Sequence, residues 1–266
     1  MKVYKVSTYT DESELTDIIM NELDSVVDGF IFLEASHTYQ MDPRPEFPAF
    51  PFKGDKIFHR TFTDYPANAY ELKADKIEEL VTGKYIDILT EIGVQPEDIL
   101  LYGDSDEIPY TETVKALIPY VKTGDIYALE MIFCNYWINC MSFEKTWTQF
   151  KVFNFQTLLD IGGSPQENIR KKIVGTIVPN GGWHWSWMGG KDRIVKKMES
   201  YSHYEFNQPQ FKTDTHIDSC LNTGADIFNR GVGYILPVDE IPLPNYIINN
   251  IDQYQHLIHP KYRILS

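Results

Sequence analysis

The chain has 266 residues, 43% of them hydrophobic and 23% charged, ample for the core of one large α/β domain. Twenty-four basic against 38 acidic residues leave a net charge of −14. Such a surface repels phosphate backbones and anionic lipid, which excludes nucleic acid and membrane as expected main partners. No stretch approaches the roughly 18 apolar residues of a membrane span. Cys134, Cys140 and Cys220 are widely spaced, with no CxxC pair, and read as free thiols of a reducing, cytoplasmic compartment.

In chain order, "KVYKVSTY" reads as a first strand. From Glu14 the apolar positions Leu15, Ile18, Ile19, Leu23, Val26 and Val27 recur at helical spacing. "GFIFLEA" then reads as a second strand, and strand–helix–strand argues for a parallel sheet. The Pro-rich "MDPRPEFPAFPFKGD" must be loop or edge, because proline cannot donate to a ladder. A helix is expected from Ala74 to Ile92, stopped near Gly93. The later half reads as strands in "DIYALEMIFCNYWIN" and "TQFKVFNFQTLL", then a tryptophan segment. A last helix is expected over Tyr246 to Ile258. No linker divides the chain, so residues 1–266 are expected to form one domain.

Two segments carry candidate chemistry. In "LLYGDSDEIPY" a hydrophobic strand runs into Asp104, Asp106 and Glu107. Aspartates two apart in an extended segment point the same way. Their repulsion calls for a cation, and Mg²⁺ or Mn²⁺ suits a site with few carboxylates. The plainer alternative is a solvated acidic turn capping a helix from Glu112. In "GGWHWSWMGG" strand alternation sets Trp183, Trp185 and Trp187 on one face and His184 and Ser186 on the other. The tryptophans could form a sugar platform, and His184 a metal ligand or acid–base group; equally, the segment could be a Trp-filled core strand. The following helix turns Ile194, Met198 and Tyr201 inward and ends near His203 and Glu205. Lys191, Arg193, Lys196 and Lys197 make it a basic cluster, either a solvated face or a phosphate site.

The order of "VVDGFIFLEASHTYQMDPRPEF", "DILLYGDSDEIP", "GGWHWSWMGG", "SYSHYEF" and "LPNYIINNIDQYQHLI" resembles glycosyltransferase family 17, from about Asp11 to Pro260. The resemblance implies a GT-A-like α/β fold, a mostly parallel sheet flanked by helices. It also implies a nucleotide-sugar donor, UDP-GlcNAc for preference, and inverting transfer to a glycan or glycoprotein acceptor, helped by Mn²⁺ or Mg²⁺. Asp104, Asp106 and Glu107 match the family's acidic motif. Glu34 with Pro43-Arg44-Pro45 matches its E…P-R-P region, and Trp183, His184, Ser186 and Trp187 match G-W-H-x-S-W. On this footing Asp104, Asp106 and His184 are expected to hold the metal. Glu34, Arg44, Asp104 and Lys191 are expected at the donor, and Trp183, Trp185, Trp187 and His203 against the sugars. Glu205 is the expected base, with Glu107 and Glu130 as competitors; His184 is also expected to take part in catalysis. Two features depart from the family. Its N-E-L-D at the first helix is Asp11-Glu12-Ser13-Glu14 here, and the membrane anchor and stem of its Golgi members do not precede the first strand. The expectation is therefore a soluble microbial or viral enzyme. A glycan-binding module and a metal-dependent nucleotidyltransferase are the competing readings.

Overall fold

The computed structural model describes residues 1–231 and 233–263. The first half alternates as expected: β1 (Val3–Tyr9), α1 (Ser13–Leu23), β2 (Gly29–Ala35) and β3 (Ile57–Phe62). The helix expected over Ala74 to Ile92 is two helices, α2 (Ala74–Thr82) and α3 (Tyr85–Ile92). The break falls at Gly83, a poor helix former, whose N–H closes α2 on Glu79 O. Gly93 ends α3 in the left-handed conformation that glycine alone adopts freely. Then come β4 (Ile99–Tyr102), β5 (Glu107–Pro109) and α4 (Thr111–Leu117).

The second half holds β6 (Tyr127–Asn135), β7 (Cys140–Trp147), β8 (Lys151–Asn154), α5 (Phe155–Ile161) and β9 (Thr176–Ser186). Two further helices follow, α6 (Gly190–Ser200) and α7 (Asp214–Thr223), then the short β10 (Tyr234–Ile235). The last helix is shorter than expected: α8 (Asn245–Asn249) gives way to a 3₁₀ turn over Ile251–Leu257.

Among the described residues the ten strands join one sheet in the order β10-β7-β6-β8-β4-β1-β2-β3, with β9 bonded to β6 and β5. Pairing among β3, β2, β1 and β4 is parallel throughout. Beyond β4 it is mainly antiparallel, and only β6 with β9 is parallel. The fold is of the α/β class expected, but its sheet is mixed rather than mostly parallel. The reason is connectivity. Parallel neighbours need a crossover, and the β6–β7 and β7–β8 links are too short to supply one.

Alternate residues of the central strands feed two cores. Phe30, Phe32, Ile99 and Leu101 meet α1, α4 and the 241–258 segment on one face. Tyr4, Val6, Ile31, Leu33 and Leu100 meet α2, α3 and α5 on the other. A third cluster packs α6 and α7 against Tyr136, Trp187 and Phe228. The three cysteines are free and buried. Among the described residues no helix is long and apolar enough to cross a membrane.

Candidate active site

Because β8 runs opposite to both β4 and β6, and β9 follows β6, the carboxyl ends of β1, β4, β6 and β9 all emerge on one side. Ligands of open α/β sheets bind outside those ends. A cavity of about 950 Å³ opens there. Thr8 and Thr10 follow from β1, Asp104 to Asp106 from β4, Phe133 and Asn135 from β6, and His184 and Ser186 from β9. Lys197 of α6 and Arg170, from a π-helical turn over Gln166–Arg170, close it.

The acidic segment is a turn and not a strand, and its two aspartates line the same cavity with different partners. β4 stops at Tyr102, and β5 begins only at Glu107. Gly103 makes the corner: a Cβ there would lie 2.3 Å from both Glu107 Oε2 and the Phe150 ring. Asp104, about half exposed, pairs with Arg170 at 2.5 Å. Asp106, nearly buried, pairs with Lys197 at 2.7 Å and faces His184 Nε2 at 3.5 Å. Burial alone would raise the Asp106 carboxyl, but Lys197 and then His184 outweigh it and hold it well below the usual carboxylate range. Glu107 lies behind the cavity wall and is fully buried. It takes hydrogen bonds from Arg170 (2.6 Å), the Asp104 N–H (2.9 Å) and Trp147 Nε1, and burial raises its carboxyl despite Arg170. Its role is to lock the turn, and it has no open path to a substrate hydroxyl.

The tryptophans separate. Trp183 and Trp185 belong to the main core, Trp183 against Tyr110 with its Nε1–H on Pro242 O at 2.7 Å. The platform reading therefore gives way to the core reading for these two. β9 lies between β5 and β6, so both its edges are paired; its tryptophan face packs into the core and its His184–Ser186 face lines the cavity. Trp187 lies beyond the strand at φ +62°, which breaks the alternation and brings its ring to the cavity. His184 lines the cavity, stacked on Trp147 at 4.1 Å, with its Nδ1 buried and, among the described residues, without a hydrogen-bond partner.

Other expected site residues lie elsewhere. Glu34 is buried against Arg44 and His59, both at 3.0 Å, and accepts the Ala49 N–H; together they fasten the Pro-rich loop to the end of β2. Lys191 pairs outward with Asp214 and Asp218 of α7. Glu205 sits on an exposed 3₁₀ turn past α6, bonded to His203 at 2.9 Å. Of these two, His203 alone lines the cavity. Glu130 bonds Thr146 and does not reach the cavity either.

Sequence reasoning missed Arg170, Lys171 and Trp147. The run Arg170-Lys171-Lys172 in so acidic a chain was the available signal. Lys197 belonged to the expected basic cluster, but Lys191 was singled out in its place.

Among the described residues no group of three His, Cys, Asp or Glu is arranged to hold an ion. His184 therefore completes no triad with the aspartates, its Nε2 being turned to Asp106. A hard divalent ion needs less: Mg²⁺ commonly takes one or two carboxylates and fills its shell with water and substrate phosphate. Asp104 and Asp106 on the cavity wall fit that donor set.

The site is thus a crevice at the strand ends, with paired acids and flanking cations. The glycosyltransferase family 17 model matches residues 1–261, and the chain belongs to that family. Over 300 aligned residues it is 22% identical to the β-1,4-mannosyl-glycoprotein 4-β-N-acetylglucosaminyltransferases of Rattus norvegicus and Homo sapiens. The match covers 98% of this chain but 55% and 56% of theirs, so the chain spans about half the length of the curated relatives it matches. Among solved structures, S. aureus TarS is similar at 10% identity and a TM-score of 0.42, over 74% of this chain and 63% of that one. A 4-diphosphocytidyl-2C-methyl-D-erythritol synthase is similar at 12% and 0.41, over 68% and 88%. Likenesses that weak carry no argument.

Proposed function

We propose that the chain transfers N-acetylglucosamine from UDP-GlcNAc to a glycan or glycoprotein acceptor, with inversion and with the help of Mn²⁺ or Mg²⁺. The observation that carries this reading is the Asp104/Asp106 turn in the cavity at the strand ends of a family 17 chain. The names of the relatives support the sugar. A divalent ion held by Asp104 and Asp106 would supply positive charge to the leaving diphosphate, where negative charge develops. Arg170 fixes Asp104 and Glu107, and so holds the turn in place for that task.

In a single in-line displacement the acceptor hydroxyl must give its proton to a positioned base. Asp104, Asp106, Glu78 and Asp226 line the cavity but are held by Arg170, Lys197, Lys171 and Arg230. Glu12 and Glu144 line it without an ion pair among the described residues, and they are the candidates for the base.

Release of UDP from UDP-GlcNAc should require Mn²⁺ or Mg²⁺. Asp106→Asn should lower turnover by about 10²-fold or more while the protein stays folded. Full activity in excess chelator would end the metal reading, and release of pyrophosphate would identify a nucleotidyltransferase instead.

A further inference from the structure

Asp106 has both oxygens engaged, one by Lys197 and the other facing His184. A metal ion arriving there meets the Lys197 ammonium at close range, and the like charges repel. His184 is walled in, stacked on Trp147 and packed by Phe133. Lys197 is not. Its side chain is 28% exposed, and its Nζ lies 5.4 Å from the Trp187 ring at the cavity edge. The helix beneath it is anchored by buried Ile194 and Met198, and by Arg193, whose Nη1 donates to Asp11 O at 2.8 Å. The backbone is therefore held while a four-carbon stem remains free to swing. Three other cavity cations have acids of their own: Arg170 has Asp104 and Glu107, Lys171 has Glu78, and Arg230 has Asp226; Lys145, also on the cavity wall, donates to Arg230 O and has no ion pair among the described residues.

We propose that Lys197 is a displaceable counterion: it neutralises Asp106 until a divalent cation takes its place, then swings its ammonium to the donor's diphosphate. The inference rests on the metal-dependent transferase reading above. Repulsion between the arriving ion and the ammonium drives the swing, and the incoming diphosphate gives the ammonium a new partner. Metal and donor then bind as a coupled pair. An apo site with Asp106 uncompensated would be costly, and Lys197 removes that cost.

Mn²⁺ alone, titrated calorimetrically into chelator-treated protein, tests this in wild type, Lys197→Gln and Lys197→Arg, with melting curves confirming folding. Glutamine keeps a hydrogen bond to Asp106 without the charge, so that variant should bind Mn²⁺ about tenfold tighter than wild type. With Mn²⁺ saturating, it should bind UDP about tenfold more weakly. Arginine grips a carboxylate with two parallel bonds and withdraws less readily, so it should bind Mn²⁺ more weakly than wild type. The arginine variant keeps the test open should the glutamine variant not fold. Equal Mn²⁺ affinity across the series would overturn the proposal, and unchanged UDP affinity in the glutamine variant would overturn the swing to the diphosphate. Asp106→Asn separates the underlying reading. If it binds Mn²⁺ as well as wild type does, the ion does not sit on Asp106, and both readings fall together.

Discussion

Lys5 is fully buried in β1, directly beneath the acidic turn. Its Nζ donates to Gly103 O at 2.7 Å and to Val6 O at 3.3 Å, and Ser7 Oγ donates to the same Gly103 oxygen at 2.8 Å. Ser105 Oγ donates to Thr8 O at 2.9 Å. Side chains of β1 and the turn thus tie the end of β4 in place. Burial pushes the Lys5 ammonium down to about 7, against the opposing pull of Glu107 and Asp104. Above that pH the folded chain has released a proton that the unfolded chain still holds, up to the ordinary lysine value near about 10.4. Stability from this group therefore rises with pH across that window, by at most about 1.4 kcal/mol per pH unit. Urea unfolding of wild type and Lys5→Met, compared at several pH values in the window, should show the difference moving in favour of wild type as pH rises. A flat difference would mean that Lys5 keeps its charge in the fold.

At the scale of elements, legibility followed local periodicity. β1, α1 and β2 were readable because each keeps one hydrophobic pattern, and Gly29 marks where β2 opens. "TQFKVFNFQTLL" was not, since strand becomes helix inside it: Asn154 closes β8 and its Oδ1 accepts the Thr157 N–H, capping α5. For β9 the alternation was visible but its meaning was not. A strand whose tryptophans face the core reads the same as one whose tryptophans face a ligand. The two aspartates were legible as a site, whereas Arg170 and Lys197 reach them only through the fold, from 66 and 91 positions along the chain (170 − 104 and 197 − 106). Trp185 makes the distinction measurable. With 0% exposure in the main core, its replacement by alanine should cost roughly 3–5 kcal/mol in urea unfolding. UDP binding per folded molecule should stay near wild type, because Trp185 does not line the cavity. A selective loss of binding with stability intact would restore the platform reading.

At the scale of the whole molecule, the two ends of the described chain share one core. Ile241, Leu243, Ile247, Tyr254, Leu257 and Ile258 pack with Leu15, Ile19 and Leu23 of α1 and with Phe30 and Phe32 of β2. Hydrogen bonds repeat the link: the Tyr246 N–H reaches Glu22 Oε2 at 2.9 Å, and the Ile138 N–H reaches Leu257 O at 3.0 Å. The His259 N–H closes on the buried Asn139 side chain at 2.9 Å. Burying each of these six side chains stabilises by about 1.5–3 kcal/mol. Six of them together match or exceed the whole stability of an ordinary domain, about 5–15 kcal/mol. The intact chain should therefore unfold in one cooperative transition, with both halves of the sheet lost together. Removing everything from Ile241 onward should abolish that transition and not merely lower its midpoint. It would leave α1 with an uncovered apolar stripe, detectable by binding of a hydrophobic dye at room temperature. The candidate cavity stands on the same sheet, so UDP binding should vanish with the transition although no cavity residue has been deleted. A truncated chain that still melts sharply near the wild-type temperature would show that the segment is an appendage and that the α1 face is stable without it.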